Sequence, residues 1–585
     1  MRSTLLCLLW FVVSWSQTGL DPSIEEPDDP DEQQYVNTLL KNLFDPLDIE
    51  LADSSQLRSR GFSGPAIGLI LHWQQSGITT AGYKRLLKKL SETDSQLLSR
   101  SDRGSQLSTQ IVLRQKIKYS TPLAGWRILQ KGRVRGSWGD LVFLAEQDPG
   151  EEHLTDHAVF AISSDKVPGF EKLILGDFHI SWGNGLLLNQ SGSRTGFTPA
   201  SLVKQPRHVL RPHYSTREQN YFHGIAGEWQ IKGLRGIAFV SSRKARGQIK
   251  TGVFKEDSDG IHPQGKSYAE QNINAAGLAG IYEFNDLCVY LALMHESLSG
   301  KSIGHELGLY WRISAKQFLQ VYVDDPKLKS SRSISSWSYR TGPVQLSIQY
   351  RNYPHTQSGN SGSVISMLGA QALNERGFST RLQFRPRSHL LIRYALDRGA
   401  ASQLLRLSDS RSVWQHRAQL QYRNTEQKWQ LDWNNKTSGP LIPDDIWFEN
   451  TSSTKLIKLG VSLDQKISSQ LQYRLNLKTV SQSLGRSVLI QQRILWSLPN
   501  WKGAVGFAKY AIPGYDLRIS IYESGLRESF NFFTAYETGQ RWFLYLKNNY
   551  YGSADLEFRI AQTHTFEIGE PAKQLELSFQ LSIVL

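Results

Sequence analysis

From about Ser105 onward, apolar and polar residues alternate for some 480 residues. In "VWQHRAQLQYRN", Trp414, His416, Ala418, Leu420 and Tyr422 share one face, and Gln415, Arg417, Gln419, Gln421 and Arg423 share the other. "KISSQLQYRLNLKT" sets Ile467, Leu471, Tyr473, Leu475 and Leu477 against Ser468, Gln470, Gln472, Arg474, Asn476 and Lys478. "STRLQFRP", "GPVQLSIQYRN", "KWQLDWNN" and "SLDQKI" repeat the scheme. A period of two places successive side chains on opposite faces of a strand. No helical domain tolerates such a pattern at this length, so the chain from 105 to 585 must be β-structure throughout.

A soluble sandwich also alternates. Two features favour a barrel in a membrane. The strands run to about ten residues, the length a tilted membrane-crossing strand needs (~9–11 residues). Aromatic residues sit at strand ends: Trp414 and Tyr422 share a face eight residues apart, which places them roughly 20 Å apart along a barrel axis, near the ~25 Å apolar band of such barrels. The chain carries 16 Trp and 23 Tyr to furnish such girdles. The expected fold is therefore mostly β, a large antiparallel transmembrane barrel of about 20–26 strands, even in number. A barrel leaves no free edge. "TQIVLRQKIKY" (109–119) is the natural first strand, and "LELSFQLSIVL" (575–585) the one that closes on it. Leu585 stands where the terminal strands of such barrels usually carry Phe or Trp.

The N-terminus reads as an export signal. Arg2 precedes an apolar run from Leu5 to Val13, too short to span a bilayer, and Ser14 and Ser16 are small residues placed for cleavage after Ser16. Residues 17–34 form an acidic linker. The formal net charge is +14, and residues 1–34 hold one base against seven acids, so the rest of the chain stands at +20. Such an excess suits an anionic neighbour, lipopolysaccharide or nucleic acid among them, or a solvated basic surface. Beyond the signal one cysteine remains, Cys288, so there is neither a disulfide framework nor a cysteine-based metal site. No cofactor is implied.

Residues 35–95 have helical spacing. "DIELADSSQLRSRGFSGPAIGLILHWQQSGITTAGYKRLLKKL" resembles the helix-hairpin-helix module of ComEA-like DNA-binding proteins. "RGFSGPAIGLIL" corresponds to the hairpin and second helix. The resemblance implies a phosphate site at Gly61, Ser63 and Gly64, with further contacts from Lys84, Arg85, Lys88 and Lys89. Ser63 stands where the hairpin's second glycine belongs, and Gly64 follows one place late. A protein-docking helical pair is the alternative. Salt-dependent binding of duplex DNA separates the two.

"LILGDFHISWGNGLLLNQSGSR" and "RPHYSTREQNYFHGIAGEW", with "GYDLRISIYE" and "GQRWFLYLKNNY", resemble exported proteins of Gram-negative bacteria that join a helix-hairpin-helix region to a long outer-membrane barrel. That resemblance implies an architecture and an outer-membrane location, not a reaction. Gly183–Asn184–Gly185 permits a tight turn or an inward-folded segment, a candidate plug. Asp177, Asn184, Arg211, Glu218 and Asn220 are candidate lumen residues. Arg417 and Arg474 join them from the polar strand faces, where basic residues outnumber acids and predict an anion-preferring lumen.

The sequence carries no zinc-protease helix motif, nucleophile elbow or phosphate loop. The expected role is transport or envelope assembly rather than catalysis. Its expected partners are outer-membrane lipid or lipopolysaccharide, the barrel-assembly machinery, and DNA or a periplasmic protein at the helical region. Two alternatives remain open: DNA uptake through the helical module, and a hydrolase using Ser, His and a carboxylate from adjacent strands.

Overall fold

The computed structural model describes residues 64–75 and most of 110–584; within that span the main exceptions are 148–156, 189–201, 257–268, 354–374, 402–410 and 441–453. Contacts divide the chain into two units, 31–109 and the remainder.

In the smaller unit the described element is the helix Gly64–Gln75. It covers the stretch expected to form a second helix. Pro65 falls in its first turn, where a missing N–H costs nothing. Ala66, Ile67 and Ile70 are buried, one face of the helix. The candidate phosphate-binding residues Gly61, Ser63, Lys84, Arg85, Lys88 and Lys89 lie outside the described residues.

The larger unit is a closed antiparallel β-barrel. Among the described residues there are 28 strands, and 24 of them form the wall. They follow one another around the barrel in chain order. The first, Gln110–Ser120, pairs with the last, Lys573–Val584, from Val112↔Val584 to Ser120↔Glu576. The closing strand is the one expected from the sequence, and the even count falls in the expected range. Of the other four strands, Val253–Glu256 extends one hairpin above the wall. The remaining three, Arg207–Pro212, Ile519–Tyr522 and Phe532–Ala535, belong to inserts.

Period two sets the orientation of each wall strand. On Arg411–Arg423 the side chains of Gln415, Arg417 and Gln419 are buried, and Leu420 and Tyr422 are exposed. The buried set is polar and the exposed set apolar, the reverse of a soluble protein. Val240, Leu307 and Leu278 are each at least half exposed on the outer face. Aromatic residues bracket this aliphatic belt. Phe284, Trp311, Tyr422, Trp429 and Trp501 ring the end with short turns, and Trp126, Tyr350, Phe378 and Trp542 ring the end with long loops. Two girdles around an apolar band make this a membrane-spanning barrel of the outer-membrane type, short turns to the periplasm. Among the described residues no helix is long and apolar enough to cross a membrane; the strands do so.

Candidate functional site

A wall of 24 strands encloses more space than its own side chains can fill; barrels of 22 strands already need a plug. Among the described residues, two segments leave the wall and fold inward.

The first begins on the strand Lys172–Gly183. Its residues Lys172–Phe178 pair with the wall strand Phe222–Ile231, and Phe178–Gly183 pair instead with Arg207–Pro212. From Asp177 to Gly183 every side chain is buried, whichever face it occupies. Period two is lost because protein lies on both sides. The bend falls at Gly176. Its φ of 101° belongs to the left-handed region, and a Cβ there would stand 2.1 Å from the carbonyl oxygen of Phe160. Only glycine fits.

Asp177 closes the gap that this bend opens. Its Oδ2 accepts the backbone N–H of Phe160 (2.7 Å), which the departing strand no longer satisfies. Its Oδ1 is 2.7 Å from Nδ1 of His223, and its carbonyl accepts the N–H of His213 (2.8 Å). Asp177, a candidate lumen residue, sits where the wall strand turns inward; its carboxylate satisfies the free edge and meets the exposed His223 rather than the lumen.

Beyond it the segment packs on an apolar half of the lumen. Trp182, Leu186, Leu187, Leu188 and Leu210 join Phe178, Phe222, Phe239, Ala279, Tyr290 and Met294 in one cluster. Gly183, at φ 56°, lies so close to the wall that a Cβ would meet the Tyr290 ring at 2.5 Å. Glu306, fully buried on the strand Ile303–Ser314, accepts the N–H of Leu187 at 2.8 Å. Farther along, the carbonyl of Leu202 accepts Nε2 of Gln349 (3.1 Å), on the strand Val344–Tyr353. The insert is thus bonded to wall strands well separated around the barrel. Near its root the rings of His179 and His213 share a hydrogen bond, and His213 stacks on Tyr221 with centroids 4.6 Å apart.

Around Gly183 and Gly185 the chain is buried against the inner face of the wall. Asn184, Glu218 and Asn220 lie outside the described residues. Arg211 is half-buried and pairs in register with His179.

The second insert has no counterpart in the sequence reading. Between the wall strands Trp501–Ala511 and Gly539–Tyr550 the chain forms a 3₁₀ turn, Tyr515–Leu517, and a two-stranded hairpin, Ile519–Tyr522 with Phe532–Ala535. Leu517, Ile519 and Ile521 pack with Val480, Leu489 and Tyr510 of the wall. Glu523 moors the hairpin. It accepts Nε and Nη2 of Arg541 (2.8 and 3.1 Å) and pairs with Arg559. The same two arginines reach Glu576 of the closing strand at 3.0 and 3.1 Å. Lys478 Nζ donates to the carbonyl of Ser520 (2.8 Å).

The expectation of a strongly basic lumen is corrected for its buried part. Eight cations and nine acids are buried among the described residues, so the charge there balances. Arg417 and Arg381 converge on one carboxylate, Asp397, at 3.1 and 2.8 Å, and Ser379 donates to it at 2.6 Å. Arg351 pairs with Glu375 at 2.7 Å. Arg474 pairs with Asp464 at 2.8 Å. Charge taken out of water needs a counter-charge, and these guanidinium groups find theirs on neighbouring strands, Arg381 and Arg417 sharing one. Replacing Asp397 by Asn should leave two buried guanidinium groups sharing a neutral amide and cost roughly 3–5 kcal/mol. A fall in the temperature at which the folded band is lost on unheated gels measures this; unchanged thermal stability would show that the pair contributes little.

Asp177, His223 and Ser242 stand in one row across three strands: Asp177 pairs with His223, and Ser242 pairs with Asn274 on the far side. The row brings together the residue types of a hydrolase, but the Ser242 hydroxyl is engaged by Asn274 Oδ1 at 2.7 Å. Among the described residues no group of three or more His, Cys, Asp or Glu is placed to hold a metal ion.

No protein-family model matches the chain, and no curated protein does. Solved structures do. The FrpB iron transporter of Neisseria meningitidis shares 7% identity over 82% of this chain and 81% of that one, with a TM-score of 0.41. The siderophore receptor PirA of Pseudomonas aeruginosa shares 10% over 81% and 79%, with a TM-score of 0.39. The copper transporter OprC shares 7% over 83% and 81%, with a TM-score of 0.41. At these identities and scores the likeness says nothing of cargo. The barrel is established by its own strand pairing, which closes from Gln110–Ser120 to Lys573–Val584.

Proposed function

We propose that this chain is a gated conduit of the outer membrane, shut at rest by its two inward-folded segments. One observation carries the reading: the segment from Asp177 to Leu188 runs into the lumen, buries all its described side chains, and is tied through Glu306 to Ile303–Ser314, a wall strand that its root does not pair with. A purely structural barrel has no need of a lumen this wide, and an open pore would not fill it. Envelope assembly would use the outer rim or the periplasmic end instead.

The lumen is divided by chemistry. One half, from Phe222 to Met294, is apolar and covered by the plug. The other, built on Gln110–Ser120, Gly125–Gly136 and the last strands, is polar and holds a network of ion pairs. Arg127 donates to Glu146 at 2.7 Å, and Asp140 holds Arg133 and Arg135 at 2.6 and 2.9 Å. A solute passes most readily along this polar half, where displaced ion pairs can be replaced by its own polar groups.

The reading predicts that the intact protein in a planar bilayer shows no steady conductance of porin size, while removal of the inserted hairpin 513–535 leaves a folded barrel that does conduct. Steady conductance by the unmodified protein would refute a resting plug.

A further inference from the structure

The buried charges of the lumen balance; the half-buried ones on its first three strands do not. In register, Arg114, Lys116 and Lys118 of Gln110–Ser120 stand beside Ser582, Gln580 and Ser578 of the closing strand, which are buried. Their face is therefore the inner one. The same face carries Arg127, Lys131, Arg133 and Arg135 on Gly125–Gly136, and Asp140 and Glu146 on Gly139–Gln147. Seven cations thus meet two acids. Of the nine, Lys131 and Glu146 are buried, and the others keep part of their surface open.

The register sharpens the imbalance. Lys131 stands directly opposite Arg114, and Arg127 directly opposite Lys118, with Lys116 between the two rows. Like charges facing each other across an antiparallel pair are destabilising. Elsewhere the wall sets an acid opposite a base: Asp464 faces Arg474 and bonds it at 2.8 Å, and Glu557 faces Lys547 at 3.3 Å. The acids near the first strands are already claimed. Asp140 holds Arg133 and Arg135, Glu146 holds Arg127, and Glu576 of the closing strand holds Arg541 and Arg559. The excess is met most directly by an anion from outside the chain.

The cations are also arranged along a line. Lys118 and Arg127 lie next to Trp126, at the end with long loops, and Arg133 and Arg135 approach the short turn to Gly139–Gln147. From Lys118 to Arg114 the strand rises roughly 13 Å. The rows follow the direction in which a solute would travel. The plug borders them: Lys131 Nζ lies 5.1 Å over the ring of Tyr214, which packs on the apolar cluster. A small anion meets one row at a time. A solute with charges repeated along its length meets both rows and Lys116 together.

We propose that this line of cations is a binding site for an extended polyanion, a chain bearing phosphate or carboxylate groups at intervals. The Arg114–Lys131 and Lys118–Arg127 rows hold successive groups, and Lys116 bridges them. The bound anion relieves the repulsion that the register imposes. It is a substrate site if the chain is the conduit proposed above; binding and conductance are read separately, so either can fail alone.

The test titrates the full-length protein in a non-ionic detergent with linear polyphosphate, with oligogalacturonate and with orthophosphate. Saturable binding of at least one chain is expected, and the tighter of the two names the preferred group. Lys116→Gln with Lys118→Gln should weaken it about tenfold or more. Lys116→Gln alone should weaken it less, and is read if the pair fails to insert. Lys116→Arg with Lys118→Arg keeps the charge and should keep binding. Lys455→Gln with Lys509→Gln removes the same charge from exposed positions near the long loops and should leave binding unchanged. Absence of saturable binding by either chain overturns the proposal, as does equal weakening by the Lys455 and Lys509 pair. Orthophosphate binding as tightly as the chains would make this a simple ion site and overturn the polyanion as its occupant.

Discussion

Deleting Lys573–Val584 is expected to abolish insertion of the barrel. That strand pairs on both sides, with Gln110–Ser120 through nine residues and with Ala554–Thr565 through eleven. Its loss exposes two strand edges to lipid at once. Each backbone group left unsatisfied in hydrocarbon costs several kcal/mol, and a folded protein's whole margin is only about 5–15 kcal/mol. The deletion also removes Glu576, which Arg541 and Arg559 share with Glu523, so the mooring of the second insert loses half its carboxylates. The measurement is the heat-dependent gel shift of the membrane fraction, with protease accessibility on whole cells. A point change on the same strand, Phe579→Ala, removes only a lipid-facing ring and should insert normally. Wild-type surface levels of the deletion would rule out a closed barrel.

What the sequence made legible follows from local geometry. Alternation is local, so the faces of Trp414–Tyr422 and the identity of the first and last strands could be read without knowing any partner. Two glycines around Asn184 likewise marked a place where the chain can turn, but not which way it would go. The point of departure was harder to see. Phe178, Ile180 and Trp182 alternate with His179 and Ser181 just as a wall strand would, and only the burial of both faces reveals that the wall has been left behind. The second insert hid in the same way: Leu517, Ile519 and Ile521 keep period two while packing inside the lumen. Charge balance was not legible, because alternation shows which way Arg559 points but not that its partner Glu523 lies 36 residues earlier. Glu306 gave no signal, since its role is set by the N–H of Leu187, 119 residues away. Long-range pairing is where a single sequence stops informing.

Trp182→Ala combined with Glu306→Ala is expected to turn a closed barrel into a conducting one without unfolding it. Trp182 is fully buried in the cluster that seats the plug, and truncating such a ring costs about 3–5 kcal/mol. Removing the Glu306 carboxylate leaves the Leu187 N–H without that acceptor, a further ~1–3 kcal/mol. Both penalties fall on the plugged state alone, because wall strands pair through their backbones and keep those bonds whether or not the segment is seated. Shifting a two-state equilibrium from 1:99 to 99:1 takes about 5.5 kcal/mol, and the two changes together reach that scale. Each single variant should therefore show intermittent openings and the double variant sustained ones. Planar-bilayer recordings supply the readout, with the heat-dependent gel shift confirming that the barrel remains folded. With the apolar half of the lumen uncovered, the path left open is lined on its other side by Arg114, Lys116, Lys118, Arg127 and Lys131, so the current through the double variant should favour anions. A folded double variant that stays as silent as the unmodified protein would show that Trp182 and Glu306 do not hold the plug.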